Sequence, residues 1–155
     1  MGGARVFGLL ELVVDVGQVY EWYRQRRFRR GLRAAHPEIS HGNWRRVKYC
    51  TEEHFRGWFQ EFGEAQGTVA VANDRILFWP DDRYETAPAL VFTPADSMVR
   101  SGVKGSGFGG NAWVEIEQQG ARHYFQPKSF LGQQAATQDL FDRLRAVLPK
   151  NEQTA

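Results

Sequence analysis

Between Arg24 and Lys48 the chain concentrates residues suited to binding phosphate. Nine of its twenty Lys and Arg fall there, namely Arg24, Arg26, Arg27, Arg29, Arg30, Arg33, Arg45, Arg46 and Lys48, against one acid, Glu38. That stretch carries +8, while the other eleven cations and seventeen acids leave −6, so the net charge of +2 hides a strong asymmetry. Clustered guanidinium groups meet phosphate in lipid headgroups or nucleic acid. Blocks of this kind also serve as plain solvated faces, or dock against the acidic half of the same chain.

A second candidate lies in GSGFGG, Gly105 to Gly110, which spells G-x-G-x-x-G. A dinucleotide loop of that spelling needs a helix after the glycines, whose free N–H groups receive the pyrophosphate. Here the glycines run into NAWVEIEQQG, which alternates with period two and predicts a strand. The glycine-rich lid of a protein kinase does sit between strands. It also requires Val where this chain has Ala112, a paired Lys, and two later motifs that the sequence lacks. The run therefore predicts a strand-connecting loop, with Gly supplying backbone freedom. Lys104 beside it and Arg100 upstream would let its N–H groups hold an anion.

Other constellations are weaker. His36, His41, Cys50 and His54 have spacings H-x4-H and C-x3-H, which match no recurrent zinc framework, and Cys50 suits a small core position. Ser106 lies outside any nucleophile elbow, and no third group is evident to orient His54 against Cys50. Glu115 and Glu117 share one strand face, as expected of the solvent side of a half-buried sheet. No catalytic site assembles, so the chain is expected not to be an enzyme, with no cofactor and no metal. Among the tryptophans, Trp44 stands out beside Arg45 and Arg46, where an amphipathic ring suits a membrane interface or a stacked base.

The elements that must position these groups divide at the change of hydrophobic period. From Ala4 to Ala35 the pattern is helical. Glu11, Asp15, Gln18, Gln25 and Arg29 form a polar stripe, and Val6, Leu9, Leu10, Val13, Val16, Tyr20 and Tyr23 a wide apolar face. Pro37 ends it. RRVKYC reads as either a last helical turn or a strand. Thr51 is placed to cap a short helix lined by Phe55, Trp58, Phe59 and Phe62. From Gly67 the period is two: TVAVA and RILFW flank a turn at Asn73-Asp74, ALVFT and DSMVRSGV follow, and a hairpin turns at Gln119-Gly120. A helix over about Thr137 to Leu148 closes the chain, and Pro149 ends it.

With 42% hydrophobic and 14% aromatic residues in 155, one packed domain plus appended structure is expected. The single cysteine excludes an internal disulfide and fits a reducing compartment. No apolar run approaches the length of a membrane span, and Val6–Gly17 lacks the marks of a secretory signal.

GTVAVANDRILFW resembles the opening hairpin of GRAM domains, a branch of the pleckstrin-homology-like superfold. Gly67, Val69, Val71, Asn73, Arg75, Ile76 and Phe78 fall in place, and Ala72 departs from the usual Thr. LVFTPADSMV, the AWVEIEQQGARHYFQPKSF hairpin and DLFDRL are similar to the later segments, so the resemblance spans about residues 64–148. It implies an α+β fold, a small antiparallel β-barrel or sandwich capped by a C-terminal helix and preceded by an N-terminal helical segment. The organisation expected is 1–63 helical (long amphipathic helix, basic stretch, short aromatic helix), 64–149 the GRAM-like domain, and 150–155 a polar tail. It also implies a non-enzymatic binding module for anionic lipids such as phosphoinositides, or for proteins.

The function expected is peripheral association, on the cytoplasmic side, with anionic membrane lipid. The contact would comprise Arg24, Arg26, Arg27, Arg29, Arg30, Arg33, Arg45, Arg46 and Lys48, helped by Arg100 and Lys104. The alternative is a protein-interaction module whose N-terminal apolar face packs on a partner or on a second copy. Nucleic acid is the least favoured partner, since no recognition element is present.

Overall fold

The computed structural model describes residues 4–57, 63–103, 112–129 and 132–149, with side chains of the first helix from residue 17 onward. The chain divides into two compact units, Met1–His36 and Pro37–Ala155. The first is one helix, α1, Ala4–Ala35, with the bounds its periodicity predicts.

In the second unit the elements are β1 (Trp44–Thr51), α2 (Glu52–Arg56), β2 (Ala65–Val71), β3 (Ile76–Pro80), β4 (Leu90–Phe92), β5 (Ser97–Val103), β6 (Trp113–Gln118), β7 (Ala121–Pro127) and α3 (Gln133–Arg145). Among the described residues the strands form one curled antiparallel sheet of seven, ordered β4-β3-β2-β1-β7-β6-β5. The α+β class, with antiparallel strands and a C-terminal helix, is as expected.

RRVKYC resolves as strand, and as the central one. β1 pairs with β2 on one side and β7 on the other. Residues 44–51 therefore belong with the sheet rather than with a helical segment ending at 63, and the break between units falls at His36. Thr51 does not cap α2: its hydroxyl and N–H donate to one Glu64 oxygen at 2.7 and 3.0 Å. Trp58, Phe59 and Phe62 lie outside the described residues. The turns at Asn73-Asp74 and Gln119-Gly120 close β2–β3 and β6–β7, with Val71 opposite Ile76 and Gln118 opposite Ala121.

One sheet face carries the main core. Val47, Val69, Phe78, Phe92, Val99, Ile116 and Phe125 pack there with Leu140, Phe141, Leu144 and Leu148 from α3 and the turn after it. A 13-residue helix is marginal alone in water. Three buried large side chains, each worth about 1.5–3 kcal/mol, hold α3 on the sheet. Gly67 makes this packing possible, because a Cβ there would lie 2.4 Å from both the Phe78 ring and the Trp79 carbonyl oxygen. Asp96 accepts from the Thr93 N–H and hydroxyl, the Ser97 hydroxyl and the Gln118 amide, tying the β4–β5 turn to the end of β6. These hydrogen bonds hold its carboxyl well below the usual carboxylate range.

The opposite face carries Cys50, Phe55, Trp113 and Tyr124, with the Phe55 and Tyr124 rings stacked at 3.7 Å. Trp44 is buried and stacks on Trp79 at 5.7 Å, so it is not the exposed interfacial ring its basic neighbours suggested.

Candidate anion-binding site

Strand alternation and register assemble the site. Val47 of β1 lies opposite Pro127 of β7, and the Lys128 N–H donates to the Arg46 carbonyl at 2.9 Å. Arg46 and Lys128 are thus cross-strand neighbours on the face away from α3. Lys48, two residues on, points to that same face, opposite Gln66 of β2 and Gln126 of β7. The three cations line one cavity of about 270 Å³, completed by Pro127, Ser129 and Gln133 from the first turn of α3.

Among the described residues that line the cavity there is no carboxylate. Arg46 also pairs with buried Asp81, whose Oδ2 lies 3.7 Å from it. Lys128 donates to the Gln66 side-chain oxygen, and Gln133 donates its amide to the Pro127 carbonyl at 2.8 Å. Like charges placed directly across an antiparallel pair repel. Two such neighbours and a third cation around one open space favour an anion between them. The volume leaves room for a phosphate or a small polar headgroup and falls near the lower end of small-molecule pockets, which run to about 300–1,000 Å³.

The other described cations expected at the site belong to different elements. Arg24, Arg26, Arg27, Arg29, Arg30 and Arg33 lie on α1, in the other unit. Arg45 projects to the α3 side of the sheet, where it donates to Asp139 at 3.1 and 3.2 Å and to the Gly42 carbonyl at 2.6 Å. Arg100 pairs with Glu115 at 2.9 Å. That pair corrects a second expectation, for Glu115 is buried rather than on a solvent face, its charge answered by Arg100. Lys104 and the glycine run lie outside the described residues, between strands β5 and β6.

Lys128, Ser129 and Gln133 were missed from sequence. Lys128 stands alone in QPKSF, and only the β1–β7 register reveals it as a neighbour of Arg46.

Two hydroxyl or thiol groups on this face have raised pKa values. Burial pushes the Cys50 thiol up to about 11 and the Tyr124 hydroxyl to about 12. Among the described residues no three His, Cys, Asp or Glu side chains gather as metal ligands would. Among them, too, no helix is long and apolar enough to cross a membrane. No family model, curated protein or solved structure matches the chain.

Proposed function

We propose that the second unit is a pleckstrin-homology-like binding module, related to GRAM domains, that attaches the chain to membrane by taking an anionic lipid headgroup in the Arg46–Lys48–Lys128 cavity. One observation carries this reading: three cations from β1 and the end of β7 line one small cavity together. The strand order and the C-terminal helix on the opposite face support the fold assignment. The cytoplasmic leaflet is the surface that suits it, since anionic lipids concentrate there.

Each basic residue at such a surface contributes about 1 kcal/mol, so three give roughly a hundredfold in affinity. Co-sedimentation with vesicles tests this. The protein is expected to pellet with phosphatidylcholine vesicles containing a phosphoinositide and to remain in solution with phosphatidylcholine alone. Raising salt should weaken the binding as the Debye length shortens. Equal binding to neutral vesicles, or none to any, would refute the reading.

A further inference from the structure

The C-terminal half of α1 presents an exposed face that the cavity does not use. Val19, Trp22, Tyr23, Arg26, Arg27 and Arg30 are linked by i+3 and i+4 spacings, so they share one side of the helix. All six are exposed. Val19, Trp22 and Tyr23, together with adjacent Tyr20, leave 53 to 65% of their surface open to solvent. The Arg26 guanidinium lies over the Trp22 ring, 5.2 Å from its centre.

We infer that this face lies in the headgroup interface of an anionic bilayer, with α1 in the membrane plane. Tyr and Trp have apolar rings and polar tips, which suits them to the boundary between hydrocarbon and water. Arginines interleaved with them cannot enter hydrocarbon unpaired, but they reach lipid phosphates at that depth while their stems cover apolar surface. Charge selects this occupant over a second copy of the chain. Between residues 17 and 35 the helix has six arginines and one acid, Glu21, which the spacing puts on another side. Two copies packed in parallel through this face would set arginines against arginines, whereas anionic lipid neutralises them.

The inference goes beyond headgroup binding in the cavity and stands on α1 alone. Tryptophan fluorescence of the full chain is measured with vesicles of phosphatidylcholine and phosphatidylserine in equal parts, with and without bromine on the phosphatidylcholine acyl chains. Wild type and Trp22→Phe are compared, so that the difference between them reports residue 22. Bromolipid should quench that difference in vesicle-bound protein, and Trp22→Ala with Tyr23→Ala should lower vesicle affinity at least about tenfold. Vesicle-bound protein with unquenched Trp22 would overturn the inference while leaving the cavity reading intact. So would a doubled mass in solution that the double variant abolishes. Quenching of Trp22 that persists in Lys48→Ala with Lys128→Ala, at undiminished affinity, would instead count against the cavity and sustain the helix contact.

Discussion

Cys50 and His123 show how neighbours set the chemistry of single side chains in this sheet. Cys50 is fully buried beside Phe55, Trp113 and Tyr124, and burial pushes its thiol from an ordinary 9.0 to about 11. As the only cysteine, it can be followed cleanly with a thiol reagent. Thiolate is the reactive species, so labelling of the folded protein near neutral pH should run at least about a hundredfold slower than in denaturant. Fast labelling of native protein would show the site to be open. His123 lies across the sheet from it, with Nδ1 3.0 Å from the Tyr49 hydroxyl and Phe92 edge-on to its ring. Burial lowers its pKa below the ordinary 6.5, so the unfolded chain takes up this proton first. The neutral imidazole's contribution is complete above about pH 6.5 and is lost as pH falls below it. Thermal melts should therefore drop between pH 7 and 5, and His123→Asn should flatten that drop. An unchanged slope in the variant would assign it to other groups.

At the scale of elements, Gly67 is the residue on which the β2–β3 pairing turns. Gly67→Ala would push a methyl into the Phe78 ring and the Trp79 carbonyl, both within 2.4 Å. Overpacking of that kind costs about 1–3 kcal/mol, and more when backbone is struck. Denaturant melts should show such a loss, and a variant as stable as wild type would contradict the geometry. The elements themselves were legible to different degrees. Local signals defined α1, ended by Pro37, and both tight hairpins, whose turn residues sit between alternating apolar runs. β1 was not legible, because three cations occupy a central strand. Its buried positions, Trp44, Val47 and Cys50, fall three apart because both sheet faces are partly covered. Glu115 was misplaced on a solvent face for a related reason: only pairing of β5 with β6 brings Arg100 to it. Two of the three cations of the candidate site, Arg46 and Lys48, could be read from charge clustering. Lys128 could not, since it lies eighty residues along the chain and joins them only through strand pairing.

Across the molecule, the arginine block that looks continuous in sequence divides between two units with different supports. Arg45 serves the fold, tied to Asp139 on α3, while its neighbour Arg46 faces the opposite side of the same strand. Alternation along β1 makes this division, and it leaves the cavity with cations from three separated positions. In the proposed function those cations act together on an anion. The most direct test is the affinity for phosphoinositide-containing vesicles of wild type against a triple variant, Arg46→Ala, Lys48→Ala and Lys128→Ala, with thermal melting to verify its fold. The predicted result is a loss of about a hundredfold with the melt preserved. A folded triple variant that binds as tightly as wild type would contradict the account.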